Sequence, residues 1–445
     1  MHKVKTGPTR VLGIAVETAD NEASRVEESL AELGELATTA GYAFVGTMTQ
    51  KRQKIDRTSY FGSVKLDELK AQLDLDQIDV ILADDELTGL QIRSLEEGTG
   101  RPVMDRTSLI LEIFSANASS REGKMQVELA LCNYQLVRLV GGYVGMSRQR
   151  GGIGAKGPGE TKLETDRRKL RHQISMLKKE LEKTVQNRMV QRQKRVEHFA
   201  PLFSLVGYTN AGKSTLLNAL TGSQVTVHNG LFTTLDPTAR RLPLPSSRSG
   251  ILSDTVGFIQ KLPHGLVQAF RATLEDVVNS QMVLHVVDVS HPAALERIAS
   301  VNEVLKEIDV LERETIMVFN KMDRGLAVPR EGLERNFPGC CFISAATGEG
   351  LKTLLQRLDE VMAREVEVLE LLVPTAMMTE SAGRSASRRH PEGSTQGNPA
   401  EVAVLRELRQ WSRTLLEEWR PEGVFLRVEV PKKLKPRLEP WVVEN

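Results

Sequence analysis

The chain has 445 residues, of which 40% are hydrophobic and 26% charged, with a formal net charge of +1. Such a length suits two to four domains with separate cores, and the near-neutral balance excludes a global basic field, so nucleic acid would have to be met by a local patch. The three cysteines, Cys132, Cys340 and Cys341, have no zinc-like spacing and fit a reducing cytoplasm, and no apolar run approaches the roughly 18 residues of a membrane span.

Near the start, RVLGIAVE reads as a buried strand rather than a secretion signal. SRVEESLAELGELATTAG follows as an amphipathic helix closed by Gly41, then YAFVGTM and QIDVILADDEL as further strands. This alternation predicts an α/β subdomain over residues 1–105. From Ser108 to about Val140 the breakers vanish, and Leu109, Phe114, Met125, Leu129, Leu131 and Leu136 mark one long helical pattern. GGYVGMSRQRGGIGAKGPGE cannot be regular structure. Beyond it Leu170, Ile174, Leu177, Leu181 and Val185 recur at steps of three and four, a coiled-coil-like seam. The pattern over 106–199 predicts a long antiparallel helical hairpin, an arm with the Gly-rich loop at its tip.

The second arm helix is strongly basic, with Arg167, Arg168, Lys169, Arg171, Lys178, Lys179, Lys183, Arg188, Arg192, Lys194 and Arg195. A charge run alone is more often a solvated face. The tip loop, however, adds Arg148, Arg150 and Lys156 among Gly151, Gly152, Gly154 and Gly157, where backbone can approach phosphates closely. Together these favour an RNA-contacting arm.

A second α/β pattern runs over 200–363. LFSLVGYTNAGKSTLLNAL holds GxxxxGK[ST] between an apolar strand and a good helix, the context a phosphate loop requires. Its residues are Gly207, Tyr208, Thr209, Asn210, Ala211, Gly212, Lys213, Ser214 and Thr215. Backbone N–H groups would wrap the phosphates at the positive end of the helix, Lys213 would neutralise β- and γ-oxygens, and Ser214 would ligate Mg²⁺. LFTTLDPTAR offers Phe232, Thr233 and Thr234, and a threonine there could reach the metal once a γ-phosphate is present. In Asp254-Thr255-Val256-Gly257 the carboxylate suits Mg²⁺ and the Gly257 N–H suits the γ-phosphate. Asn320-Lys321-Met322-Asp323 ends a strand. Its aspartate can accept from both the ring N–H and the amino group of guanine, donors that adenine lacks in that arrangement. Lys321 would pack along the base, and Ser344-Ala345-Ala346 would offer N–H groups to the guanine carbonyl. Each piece alone has an ordinary loop explanation; their order is what carries weight. Lys213, Thr234 and Gly257 are the expected catalytic groups.

Phe258 follows the DTVG run where many GTPases place a water-orienting glutamine. Phenylalanine neither donates nor accepts, so the γ-phosphate could be gripped while the water stays poorly oriented. Unaided turnover is then slow, on the order of 10⁻⁴ s⁻¹ even in Ras, and a partner would have to complete the site.

Residues 364–445 predict a small α+β C-terminal domain: EVEVLELLVP as a strand, a disordered Ser/Gly/Pro-rich loop near 380–400, EVAVLRELRQWSRTLLEEW as one helix and GVFLRVEVP as a strand.

The ordered motifs, with DRTSLILEIFSANASSREGKMQVELALCNYQLVRL, GGIGAKGPGETKLETDRR and LFTTLDPTAR, resemble the HflX family of ribosome-associated GTPases over roughly residues 10–365. The resemblance implies an N-terminal domain with a helical arm followed by a GTPase domain, with Mg²⁺ as cofactor and GTP and GDP as substrate and product. It also implies binding to the large ribosomal subunit through ribosomal RNA near the peptidyl-transferase region, and splitting or rescue of stalled or idle 70S ribosomes under stress. Thr234 becomes the switch threonine, although Thr233 stands where the family usually has alanine. The family also places an apolar residue at the Phe258 position. A cytoplasmic monomer with no DNA partner is expected, with peripheral membrane contact through the basic arm left open.

Two other functions compete. One is a GTP-dependent assembly or hibernation factor whose hydrolysis is incidental. The other is an RNA-remodelling ATPase using the N-terminal domain, against which Val64 stands where a Gly-x-Gly-Lys segment would need its second glycine.

Overall fold

The computed structural model describes residues 7–18, 23–142, 158–196, 201–223, 231–232, 238–246, 248–261, 274–364, 366–374, 405, 408 and 412–443. The arm-tip residues Arg148, Arg150, Gly151, Gly152, Gly154, Lys156 and Gly157, the threonines Thr233 and Thr234, and the loop near 380–400 lie outside them.

The N-terminal part alternates β1 (Arg10–Glu17), α1 (Ala23–Thr39), β2 (Ala43–Lys51), α2 (Ser63–Leu75), β3 (Val80–Ala83), α3 (Gly89–Thr99) and β4 (Val103–Asp105). The strands form a parallel sheet in the order β2-β1-β3-β4. Their near-continuous apolar sequence follows from burial on both faces, and Leu12, Ile14 and Ile81 are fully covered.

The single helix expected from Ser108 to Val140 is two: α4 (Arg106–Asn117) and α5 (Arg121–Gly142). Asp105 caps the first by accepting from the Ser108 amide at 2.9 Å, and the Ser120 hydroxyl accepts from the Gly123 amide at 2.9 Å to start the second. The intervening Ala118-Ser119-Ser120 lets α4 bury Leu109, Ile110 and Phe114 beside α1 before the chain turns into the arm.

The arm pairs α5 with α6 (Pro158–Val196). Arg121 at the start of α5 lies near Glu180, and Arg138 towards its end lines one cavity with Lys169, so the helices run antiparallel. On α6 the residues Leu170, Ile174, Leu177 and Leu181 are half-buried while Arg168, Lys169, Arg171, Lys178, Lys179 and Lys183 are exposed, the division the three-four spacing predicts.

The second α/β part contains β5 (Leu202–Gly207), α7 (Lys213–Thr221), β6 (Thr238–Pro243), β7 (Ser249–Asp254), α8 (Glu275–Asn279), β8 (Met282–Asp288), α9 (Ala294–Glu307), β9 (Thr315–Asn320), α10 (Arg330–Asn336), β10 (Cys341–Phe342) and α11 (Leu351–Arg364). Its six strands lie in the order β10-β9-β8-β5-β7-β6, all parallel except the β6–β7 pair. The motif loops leave the carboxyl ends of β5, β7 and β9, the edge where ligands bind in open α/β sheets.

At the C-terminus β11 (Val366–Val373), β12 (Arg413–Arg420) and β13 (Gly423–Pro431) make an antiparallel sheet with β13 central. The helix expected through Trp419 is corrected here. Leu405 and Leu408 are helical and buried, but Arg413–Arg420 is a strand. Arg420 pairs with Gly423 across Pro421-Glu422, so hairpin pairing with β13 overrides the helical spacing. Arg248 ties this sheet to the second α/β part, donating to Glu429 at 2.8 Å and to Asp359 at 2.9 Å.

Candidate active site

The phosphate loop is shaped by backbone conformations that its sequence permits. Gly207, Asn210 and Gly212 have φ of 150°, 58° and 93°. A Cβ on Gly207 would lie 2.2 Å from the Val286 carbonyl oxygen, and one on Gly212 would lie 2.3 Å from Asn320 Nδ2, so neither position admits a side chain. Gly212 caps α7, which starts at Lys213, so the positive end of the helix faces the loop.

Lys213 is buried and donates to the carbonyls of Gly207 at 3.0 Å and Tyr208 at 2.9 Å. Burial brings its ammonium down to about 8, with Asp254 pulling the other way. Beneath it His285 on β8 is also buried; desolvation, then the Lys213 charge, hold the imidazole at about 3, so it is neutral. Ser214 donates to Asp254 Oδ2 at 2.6 Å, bringing a hydroxyl and a carboxylate together from α7 and β7. Thr215 lies half-buried in the same first turn.

The segment after β7 lies directly on the loop. The Thr209 amide donates to the Phe258 carbonyl at 2.7 Å, and the Phe258 amide donates to the Gly207 carbonyl at 3.1 Å. Gly257 packs so closely that a Cβ there would lie 2.8 Å from Thr209 Cγ2 and 3.1 Å from Lys213 Nζ. Thr255 anchors the segment by donating to the Leu205 carbonyl at 2.6 Å, and Val256 is buried beside it.

On the base side, Asn320 joins two loops. Its amide donates to the Ala211 carbonyl at 2.8 Å, and its Oδ1 accepts from the Ala345 amide at 2.9 Å. The Met322 amide donates to the Ile343 carbonyl at 3.2 Å, drawing the 320–323 turn against the 344–346 loop. Ser344 is buried, and Ala346 and Asp323 are exposed at the rim. The structure therefore gathers the phosphate loop, residues 254–257, residues 320–323 and residues 344–346 along one edge of the sheet. Arg167 and Arg168 lie away on the arm, half-buried and exposed respectively.

Spacing alone did not reveal that the N-terminal part packs onto these loops. The Tyr208 hydroxyl donates to Glu32 on α1 and accepts from the Gln260 amide at 2.7 Å. Arg297 lies over the Tyr208 ring, 4.7 Å from its centre. Lys261 donates to Asp84 and to Asp85, the latter at 2.7 Å. Arg106, fully buried, reaches both Glu32 and Asp84. Burial raises Glu32 against the pull of Arg106. Burial also works to raise Asp84, but Arg106 and Lys261 outweigh it and hold the carboxyl low. Phe232 packs edge-on to Phe114 at 4.6 Å, and its carbonyl accepts from Asn117 at 2.9 Å. Phe258 is buried in the same cluster, so the residue that cannot orient water is part of the joint between the two sheets' domains.

Family profiles match three stretches: a GTP-binding GTPase N-terminal region over 27–115, a GTP-binding GTPase middle region over 117–195, and a 50S ribosome-binding GTPase over 203–321. The chain is 43% identical over 417 residues to GTPase HflX of Caldanaerobacter subterraneus subsp. tengcongensis, covering 94% of this chain and 91% of that one. It is 42% identical over 351 residues to GTPase HflX of Escherichia coli (strain K12), covering 78% and 82% respectively. A solved GTP-binding protein of Sulfolobus solfataricus in complex with GDP matches 80% of this chain and 99% of its own, at 23% identity and a TM-score of 0.41. No helix among the described residues is long and apolar enough to cross a membrane. With sequence identity running through the N-terminal sheet, the arm and the phosphate loop together, the chain belongs to the HflX family of GTPases and is a GTP-binding, GTP-hydrolysing enzyme.

Proposed function

We propose that this GTPase is a cytoplasmic switch that binds the large ribosomal subunit when loaded with GTP and separates stalled or idle 70S ribosomes under stress. In this proposal GTP orders Thr234 and residues Asp254–Phe258, the arm tip with Arg148, Arg150 and Lys156 meets ribosomal RNA, and contact with the subunit stimulates hydrolysis. Residues 106–199 act as the reaching arm, 200–363 as the motor and 364–445 as an accessory domain.

Mg²⁺ fits this site. The Ser214 hydroxyl and Asp254 carboxylate already converge, hard oxygen donors of the type Mg²⁺ prefers, and Thr234 would join them with GTP bound. Held there by Ser214, Asp254 and Thr234, the ion would offset the negative charge of the phosphates. Lys213 would release the Gly207 and Tyr208 carbonyls to meet the β- and γ-oxygens.

The observation that carries the proposal is the packing of the post-β7 segment and Phe232 onto the domain that bears the basic arm. A change at the γ-phosphate has a short path through Gln260 and Lys261 to α1 and the loop after β3. The match of residues 203–321 to the 50S ribosome-binding GTPase family supports the same partner.

The deciding experiment measures GTP turnover alone and with purified large subunits, together with sucrose-gradient profiles of 70S ribosomes. Subunit-stimulated turnover and loss of the 70S peak are expected. Tight GTP binding without stimulation would favour the assembly or hibernation factor, which Phe258 keeps in view. Equal ribosome binding by an Arg148, Arg150 and Lys156 neutralised variant would remove the arm from the contact.

A further inference from the structure

We propose that Asp288 is a positioning residue for guanine: it holds the Lys321 ammonium so that the lysine stem is set for the base before nucleotide arrives. This inference rests on the guanine-nucleotide binding of the family and is independent of any ribosomal role.

Asp288 is the last residue of β8, directly opposite Asn320 in the β8–β9 register. The two strand ends therefore deliver Asp288 and the Asn320-Lys321-Met322-Asp323 turn to the same edge. Lys321 has a left-handed backbone, φ 64°, which turns the chain into the short 3₁₀ segment Met322–Arg324. Its ammonium donates to Asp288 Oδ2 at 2.7 Å. The other carboxylate oxygen, Oδ1, accepts from the Ser290 amide at 3.1 Å and the Ser290 hydroxyl at 2.6 Å. One oxygen thus anchors the carboxylate and the other anchors the lysine. Only 14% of the Lys321 side chain and 13% of the Asp288 side chain remain exposed, so the pair is held rather than solvated.

A lysine that must lie along a purine faces two costs. Its long stem loses rotamer freedom, and its charge loses water. Here the ion pair with Asp288 meets both costs from within the protein. Guanine then meets an ordered aliphatic stem, and Asp323, exposed at the rim, is available for the ring N–H and amino group. Burial by itself would raise the Asp288 pKa, but the bonds from Lys321 and Ser290 outweigh it and keep the carboxylate ionised. The other titratable neighbour, His291, is engaged through its Nδ1 with the Ala293 amide at 3.2 Å and does not compete for the carboxylate.

The test uses full-length protein and stopped-flow release of a fluorescent GDP analogue, with Asp288→Asn as the main variant. Asparagine keeps the acceptor for Ser290 and loses the charge. Release should quicken about tenfold, the size of one charge-assisted contact. Lys321→Ala should quicken it similarly, and the double variant should be no faster than Lys321→Ala alone. For Asp288→Asn and Ser290→Ala the association rate and single-turnover hydrolysis should stay close to wild type. Ser290→Ala, which loosens only the anchor, should give a smaller change in the same direction and serves if Asp288→Asn folds poorly. Unchanged release in Asp288→Asn would overturn the proposal. So would slower release, which would mean that Lys321 must leave Asp288 to reach the base, or additive effects in the double variant.

Discussion

The phenol of Tyr208, inside the phosphate loop, donates to the carboxylate of Glu32 on α1, 176 positions earlier in the chain. The same oxygen accepts from the Gln260 amide just beyond Phe258. A phosphate loop needs only backbone at the Tyr208 position, so this side chain is free for another task. That task is to link the loop, the segment after β7 and the N-terminal domain through one atom.

Tyr208→Phe keeps the ring beneath Arg297 and removes both bonds. Glu32 and the Gln260 amide each lose a partner in a buried setting, so unfolding in urea should cost about 1–3 kcal/mol less. Hydrogen exchange over residues 257–261 should rise more than over β5. Equal protection in Tyr208→Phe and the wild type would show that the phenol carries no load there.

Arg106→Met should be more damaging. It leaves Glu32 and Asp84 buried without the guanidinium that faces both. Breaking such a pair from one side costs about 3–5 kcal/mol, far more than the pair contributes relative to an apolar replacement. A loss below about 1 kcal/mol in urea denaturation would mean that water reaches these carboxylates.

Lys213 predicts a proton linked to nucleotide binding. Burial brings its ammonium down to about 8, below the 10.5 of an ordinary lysine. Phosphates should restore it. At pH 8.5 GDP binding should therefore take up a proton, and GDP affinity should fall roughly tenfold between pH 7.5 and pH 9. The ligand-free protein should move the other way: its unfolded chain binds more protons in that range, so its stability should rise with pH above about 8. Calorimetry in buffers of different ionisation enthalpy reads the uptake directly, and its absence would place the ammonium in contact with solvent.

Asp323→Asn tests base selection. The exposed carboxylate would become an amide that presents donors where guanine also presents donors. GDP affinity should fall at least tenfold, about 1.4 kcal/mol, while xanthosine diphosphate, with a carbonyl at that edge, should gain. Unaltered preference for guanine, measured by competition, would take Asp323 out of base recognition.

The phosphate loop, the 254–257 segment and the 320–323 turn were legible because their function is mostly local. Gly207 and Gly212 sit where the chain must accept positive φ and close backbone approach, and short spacing dictates which amides face the phosphates. The arm seam was legible for a related reason: a helix repeats every three to four residues whatever it packs against. Elsewhere local pattern misled. Thr414, Leu415, Leu416 and Trp419 read as a helix continuation, yet a two-residue hairpin turn hands them to β13, and Pro421-Glu422-Gly423 was the overlooked signal. The break at Ala118–Ser120 was likewise hidden, because neither serine forbids a helix and only the Gly123–Ser120 cap and the packing of Phe114 beside α1 decide the bend.

The sequence by itself pointed to the chemistry at the sheet edge: a phosphate loop carrying Lys213, and Asp323 as the residue expected to read guanine. Only the tertiary structure decided that Tyr208 belongs to Glu32, that Lys261 belongs to Asp84 and Asp85, that Lys321 belongs to Asp288, and that Phe258 is buried in an interdomain joint. Local motifs fix the geometry of their own few residues through φ, ψ and spacing. Partners drawn from separate strands and domains are chosen by burial, which forces each buried charge or phenol to find its counterpart across whatever chain distance the fold has closed.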